Sequence, residues 1–315
     1  MSTTTSVARH GDEVARGERF EFGANWANFL KTLDDVRIQR AVESLQHMLN
    51  VQSLEGKTFI DVGSGSGLFS LAARKLGARV TSFDYDPKSV ACTTELKRRY
   101  FPDDPDWQVL EGSVLDKDFL QRFGRFDVVY SWGVLHHTGD MWAALANVDP
   151  LVAPHGQLFI ALYNDQGGTS RRWTKVKKLY NAAPRLLRPL VALMVYIPIE
   201  AWDFLRHVLA RKPHVYLSYI VNYKRQTRGM SWWHDKIDWI GGYPFEVAKP
   251  EEVFEFYQSR GYGLRKLKTL AGGLGCNEFV FEREAATSVR PQAPSQASGQ
   301  ADDPYLGSRH ALGGA

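Results

Sequence analysis

The chain has 315 residues, 44% of them hydrophobic and 12% aromatic, which is enough to bury a full core and too apolar for a disordered chain. Its two cysteines, Cys92 and Cys276, exclude a disulfide framework or a zinc knuckle and fit a reducing, cytoplasmic compartment. A formal charge of +4 is too small to argue for nucleic acid, so the distribution of charge matters more than its sum. Met1 to Gly17 is polar and lacks the apolar core of a secretory signal, and residues 1–18 read as a leader without fixed structure. Phe20 to Phe29 is too dense in aromatics for a linker. Trp26, Phe29, Leu30, Leu33 and Val36 recur at helical spacing, and Ile38, Ala41, Val42, Leu45, Met48 and Leu49 form a second such stretch. Trp26 reads first as a core anchor of these helices.

The stretch Phe59-Ile60-Asp61-Val62-Gly63-Ser64-Gly65-Ser66-Gly67 is a buried strand that ends in an acid and turns through three alternate glycines. Leu68, Phe69, Leu71 and Ala72 then begin an apolar helical pattern. Glycines at such a turn let backbone N–H groups and a helix N-terminus approach a ligand closely. Dinucleotide folds space them G-x-G-x-x-G, which would put the third glycine where Leu68 stands. The spacing here, D-x-G-x-G-x-G, instead resembles motif I of the class I S-adenosylmethionine (SAM)-dependent methyltransferases. That resemblance implies SAM as the methyl donor, held by Asp61, Gly63, Ser64, Gly65 and Gly67. It also offers Trp26 a second role, as a wall of the SAM or acceptor pocket.

The helix after the turn stops at Gly77, a natural C-cap, and Arg79 to Phe83 is the next strand, ending at Asp84. Asp84 lies about twenty residues past the first glycine, where an adjacent strand delivers a carboxylate to ribose hydroxyls. Tyr85 follows it in the expected cofactor set. Asp86-Pro87 has the signature of an N-cap and first helical residue, opening a helix to Tyr100. Trp107 to Glu111 is a third strand. In the methyltransferases that the chain resembles, the junction after it lines the adenine, which implicates Ser113 and Val114; Ser113 stands where an Asp is frequent. Asp116 reads as a helix cap.

Phe126 to Tyr130 is a fourth strand, and the following Ser131-Trp132-Gly133-Val134-Leu135-His136-His137 resembles the S-x-x-V-L-H-H segment of small-molecule methyltransferases, among them relatives of ubiquinone- and menaquinone-pathway enzymes. The resemblance puts Ser131 and Trp132 on the cofactor. Ligands of open α/β sheets bind at the carboxyl ends of strands, so His136 and His137 face the transfer site. Met141 to Val148 is helical and Gln157 to Tyr163 is the fifth strand. Five strands alternating with helices predict an α/β, Rossmann-like doubly wound sheet. A helix from Pro250 and two hairpin strands, Leu264 to Leu270 and Glu278 to Glu282, complete seven strands with an antiparallel last one, as the resemblance implies. The methyltransferase domain is expected over 19–163 and 245–283, with a tail at 284–315 that lacks fixed structure.

Residues 164–244 form an insertion that such a connection does not need. From Gln166 to Met230 it carries +11, against −7 for the rest of the chain. Its apolar run from Pro189 to Ile199 has only eleven uncharged residues, too few to span a bilayer, which needs roughly twenty. It reads as a helical cap over the acceptor site. Its basic face is either merely solvated or lies against an anionic membrane surface, at the inner face of the membrane. Trp173, Val176, Leu179 and Tyr180 mark an apolar stripe, with Arg171, Arg172, Lys175 and Lys178 on its flank.

SAM carries its own leaving group, so the protein mainly aligns nucleophile and methyl. A hydroxyl acceptor also needs its proton removed, which histidine can do. His137 is the first candidate, His136 the second, and His234, in Trp232-Trp233-His234-Asp235, the third. Tyr163, Asn164 and Asp165 can position the acceptor. No [D/N]-P-P-[F/Y] and no Pro-Cys follow the fourth strand, and Tyr130-Ser131-Trp132 offers no carboxylate for a metal. These absences leave an O-methyltransferase acting on a small molecule or glycan, including quinone-type and lipid-linked acceptors, with no DNA partner and no metal. Two alternatives stay open: an RNA-modifying enzyme using the basic insertion, and a non-catalytic SAM-binding scaffold. An RNA groove would show stacking aromatics among the basic residues.

Overall fold

A computed structural model describes residues 10–226, 232–270 and 272–284. Thr58–Val62 (β1) is buried from Phe59 onward, as befits a strand covered on both faces. Its side chains alternate, with Phe59 facing one core and Ile60 and Val62 the other. Around it lie β2 (Arg79–Asp84), β3 (Trp107–Glu111), β4 (Phe126–Trp132), β5 (Val152–Tyr163), β6 (Tyr262–Lys268) and β7 (Cys276–Arg283). They form one seven-stranded sheet in the order β3-β2-β1-β4-β5-β7-β6. Six strands are parallel, and β7 runs antiparallel between β5 and β6. This is the Rossmann-like methyltransferase sheet that the sequence predicts.

One face is covered by α1 (Gly23–Leu30), α2 (Asp35–Leu49), α3 (Leu68–Lys75) and α4 (Pro87–Tyr100), whose Leu30, Leu45, Leu71 and Leu96 join the core of Phe59 and Trp107. The short α5 (Lys117–Leu120), α6 (Met141–Val148) and α11 (Pro250–Gln258) bury Leu120, Leu145, Val148 and Tyr257 on the other. Asp86 starts α4 as its sequence position predicts, accepting from the Lys88 N–H at 2.9 Å, and its other oxygen accepts from the Gly23 N–H at 2.7 Å. Asp116 caps α5 through the Phe119 N–H.

The expectation of an unstructured leader is corrected over 10–18. Residues 10–15 are helical, His10 and Val14 are buried, and Glu13 pairs with Arg19. The cause is a tertiary contact, the His10 ring against Tyr85 at 5.2 Å, which composition does not reveal. Residues 1–9 and the tail beyond Glu284 lie outside the described residues.

Between β5 and α11 the insertion folds as α7 (Gly168–Ala182), α8 (Arg188–Leu209), α9 (Pro213–Gln226) and α10 (Trp232–Gly241). They share a small core of Tyr180, Ala192, Tyr196 and Ile240, with Trp173, Val176 and Trp239 packed against it. The expected apolar stripe of α7 therefore faces inward, and of its four residues only Leu179 is exposed. The exposed apolar face belongs to α8 and α9 instead. Met194 (68% exposed), Ile197 (60%), Trp202 (60%) and Val221 (81%) stand on it. Among the described residues no helix is long and apolar enough to cross a membrane.

Candidate active site

The strand order reverses between β1 and β4, where open α/β sheets bind their ligands. After β1, the Gly63 and Ser64 N–H groups both donate to the Phe83 carbonyl, at 2.8 and 3.0 Å, which folds the chain back over β2. Gly65 and Gly67 have φ of +55° and +80°, a backbone that side chains other than glycine's strain to adopt. A Cβ on Gly67 would stand 2.9 Å from Thr93 Cα, and one on Gly65 would stand 3.1 Å from Trp26 Nε1. The Trp26 indole thus lies directly on the glycine turn, and it also packs on the core of α2 to α4. Asp84 approaches from β2: one carboxylate oxygen accepts from the Gly65 N–H at 2.8 Å and the other from the Asp86 N–H at 2.9 Å. Tyr85 also donates from its backbone, and a carboxylate has about four acceptor sites, so the group can still take a hydroxyl. Burial pushes its pKa up to about 6. A glycine-rich turn, an aromatic wall and an acid with a spare acceptor site suit the adenosyl moiety of SAM.

Asp61 sits beneath the turn. Its carboxylate accepts from Ser70 Oγ at 2.5 Å, Ser70 accepts from Ser82 Oγ at 2.8 Å, and Ser82 accepts from Trp107 Nε1 at 2.9 Å. This buried chain joins β1, α3, β2 and β3. Burial pushes the Asp61 carboxyl up to about 7, with the Ser70 hydrogen bond pulling the other way. Ser70→Ala is expected to leave a buried acceptor unpaired and to destabilise the protein by about 1–3 kcal/mol, read as a lower urea midpoint at unchanged m-value. An unchanged midpoint would remove the chain as a brace.

Other predicted cofactor residues are placed less openly. Ser131 is fully buried and donates to the Val62 carbonyl at 2.8 Å, fastening β4 to β1. Val114 belongs to the core, and Ser113 Oγ accepts from the Leu115 N–H at 3.2 Å within its own turn. Trp132 is half-buried against the core of α2 to α4. The Tyr85 hydroxyl donates to Glu13 at 3.3 Å, and Arg19 lies 5.0 Å over its ring, so the 10–19 segment covers it.

Past β4, Leu135–His137 form a turn of 3₁₀ helix. His137 Nδ1 lies 2.6 Å from the Pro244 carbonyl; a carbonyl only accepts, so Nδ1 carries the proton and Nε2 the lone pair. His136 is the opposite tautomer: its Nδ1 accepts from the Tyr163 N–H at 3.3 Å, leaving the proton on Nε2. His136 Nε2 is buried without a partner. His136 is 0% exposed and His137 8%, and the His136 ring stacks on Tyr163 at 3.9 Å. Burial holds both imidazoles neutral, His137 pushed down to about 3 and His136 well below its ordinary value; the charge of Lys177 adds to both. The turn is held from three directions. Arg19 donates to the His137 and Thr138 carbonyls at 2.8 and 3.2 Å, the Glu246 N–H donates to the His136 carbonyl at 3.0 Å, and the Phe22 ring lies 4.9 Å from His137.

The insertion contributes Lys177 of α7, buried beside this turn. Its Nζ donates to the Trp239 carbonyl and lies 4.3 Å from the Trp239 ring and 4.7 Å from Phe245. Burial pushes its pKa down to about 7. Trp173, Val176, Lys177 and Tyr180 share helical spacing, so a lysine in register with an apolar stripe was the available signal. Asn164 accepts from Asn277 at 3.1 Å and donates to the Gly273 carbonyl, setting the 272–275 turn beside the end of β5. His234 falls within α10, but its side chain lies outside the described residues.

A methyltransferase-domain family profile matches residues 60–158, the span from β1 to β5 that carries the glycine turn, Asp84 and the histidine pair. The ubiquinone biosynthesis O-methyltransferase of Methylobacterium sp. (strain 4-46) is 30% identical over 176 residues, covering 52% of this chain and 68% of that protein. The chain belongs to the class I SAM-dependent methyltransferases. The relative of the same name from Methylobacterium nodulans (strain LMG 21967 / CNCM I-2342 / ORS 2060) matches at the same identity and coverage. Among solved structures, magnesium protoporphyrin IX methyltransferase from Synechocystis PCC 6803, crystallised with S-adenosylhomocysteine (SAH), is 16% identical. The match covers 79% of this chain and 84% of that one with a TM-score of 0.44. As a class I methyltransferase the protein takes SAM as its methyl donor.

Proposed function

We propose that this methyltransferase moves the methyl group of SAM onto a hydroxyl oxygen of a small-molecule or lipid-linked acceptor. The observation that carries this reading is the tautomer of His137: with Nδ1–H committed to Pro244, the Nε2 lone pair is the basic atom, at the carboxyl end of β4. In the proposed step the acceptor O–H gives its proton to Nε2 as the oxygen attacks the methyl carbon in line. The C–S bond breaks, its electron pair stays on sulfur, and neutral SAH leaves. Two relatives carrying the name ubiquinone biosynthesis O-methyltransferase support a hydroxyl acceptor. On this reading Gly63, Ser64, Gly65 and Gly67 cradle the donor, Trp26 walls it, and Asp84 accepts from the ribose. Asp61 and Ser131 act from beneath by fixing the turn and β4.

Calorimetry tests the cofactor half. Asp84→Ala is expected to weaken SAM by about 1.5–3 kcal/mol, roughly tenfold or more, through loss of hydrogen bonds to a charged group. Unchanged affinity would remove Asp84 from the site.

We further propose that helices α7–α10, over 164–244, cap the acceptor site and hold it against an anionic lipid surface. The supporting observation is the outer face of α8 and α9: Leu190, Met194, Ile197, Leu205 and Val221 are exposed, with Arg185, Arg206, Arg211 and Lys212 exposed around them. Arginine and lysine rimming a face that is mainly aliphatic, with Trp202 and Phe204 exposed among the aliphatic side chains, match a bilayer interface, where aliphatic side chains insert and aromatic ones sit at its edge.

A further inference from the structure

Among the described residues Lys177 is the only lysine or arginine that is buried, at 0% exposure. No carboxylate among those residues offsets the burial of its charge. Its partners are the Trp239 carbonyl and the faces of Trp239 and Phe245. An ammonium has three N–H donors, and an aromatic face returns only part of what a charge loses on leaving water. A second donor is stranded nearby: His136 Nε2, fully buried and without a partner, on a ring that feels the charge of Lys177. Tyr163, at the end of β5, links the two. The His136 ring lies 3.9 Å from Tyr163, and the two rings that flank the amine, Trp239 and Phe245, lie 5.4 and 5.1 Å from it. A cation with a single hydrogen-bond acceptor and an unpartnered N–H thus lie around one cluster of aromatic rings.

We propose that Lys177 Nζ and His136 Nε2–H together recognise an anionic oxygen of the acceptor, a carboxylate or phenolate on an aromatic ring, and so select acidic aromatic acceptors over neutral ones. This deepens the reading of a hydroxyl acceptor at this site and rests on it. The anion supplies an acceptor for His136 Nε2–H and for the Lys177 N–H donors that the Trp239 carbonyl does not take, and Tyr163, Trp239 and Phe245 supply apolar rings for the aromatic body. Lys177 is then a binding residue that touches substrate, while His137 remains the group that takes the proton.

The test compares 4-hydroxybenzoate with its neutral isostere 4-hydroxybenzamide by calorimetry on the SAH-bound full chain. The benzoate is expected to bind at least about tenfold tighter, and Lys177→Met to remove that preference while SAH affinity stays unchanged. Lys177→Arg, which keeps the charge, should retain part of it. Met fills the same space without a charge, so urea unfolding separates the roles: a midpoint unchanged or raised in Lys177→Met fits a ligand-directed amine. A lowered midpoint with the benzoate preference intact would make Lys177 a structural anchor and overturn the proposal. Equal binding of the two probes, or binding of neither while SAH binds normally, would also overturn it and leave the cofactor site standing. Failure of the wild-type chain to bind SAH would instead sink the reading on which it rests.

Discussion

His137→Ala is expected to lower kcat by about 10²–10⁴-fold with SAM affinity little changed, the loss typical of a positioned general base. Removing the ring also removes the Nδ1–H bond to Pro244 and a contact with Phe22, so loss of position must be separated from loss of the base. His137→Gln keeps a donor able to reach the carbonyl but lacks a titratable atom. It should fold with an unchanged urea midpoint and remain as slow as the alanine variant. The pH profile gives an independent reading. An ordinary imidazole protonates near 6.5 and would stop acting as a base below that value. Burial has pushed His137 down to about 3, so its neutral, proton-accepting form persists as pH falls. At saturating SAM and acceptor, the His137-dependent rate should therefore hold its plateau from about pH 8 to 5 rather than halve near 6.5. If His137→Ala keeps nearly full kcat, alignment alone carries the reaction.

His136→Ala should behave differently, because that ring is a shelf for Tyr163 and its Nδ1 accepts the Tyr163 N–H. The two adjacent histidines are thus one residue apart in sequence and opposite in tautomer. That distinction was not legible in the sequence, since it depends on Pro244 and Tyr163, which arrive from the far side of the insertion and from β5.

What the sequence did reveal is local. Asp86-Pro87 starts a helix because cap and first-turn chemistry are written in adjacent residues, and the glycine turn is legible because φ above zero demands its residue type. Burial direction was legible only where the pattern was unambiguous. On α7, the stripe of Trp173, Val176 and Tyr180 is compatible in sequence with either a lipid surface or a cap core, because nothing in the chain says that Trp239 and Tyr196 will cover Trp173. Lys177 stands in a run of basic residues, and for the same reason the sequence alone does not single it out. Asp61 lies in the right motif, yet its carboxylate is turned onto Ser70, a pairing nine residues away that spacing does not announce.

The outer face of α8 and α9 leads to the second large effect. On α8 the residues turned inward, Val191, Ala192, Val195 and Tyr196, pack on the cap core, and the Tyr196 hydroxyl donates to the Lys236 carbonyl at 2.7 Å. Glu200 pairs with Lys236 at 2.5 Å on the same side, which leaves the opposite side of the helix apolar, mostly aliphatic with Phe204 among it. Full burial of a large aliphatic side chain is worth about 1.5–3 kcal/mol, so even partial insertion of Leu190, Met194, Ile197 and Leu205 provides an apolar anchor. Each Lys or Arg near an anionic surface adds about 1 kcal/mol. Sedimentation with vesicles of phosphatidylserine and phosphatidylcholine should show binding that needs the anionic lipid and falls steeply from low to high salt. Changing Arg185, Arg206, Arg211 and Lys212 to Glu removes about 4 kcal/mol before repulsion is counted, so vesicle binding should weaken by about 10³-fold or more. Changing Leu190, Met194, Ile197 and Leu205 to Ser should weaken it at every salt concentration, with SAH affinity intact in both variants. A chain that ignores anionic vesicles at low salt, and instead forms a concentration-dependent dimer abolished by the serine variant, would assign this face to a second copy and end the lipid reading.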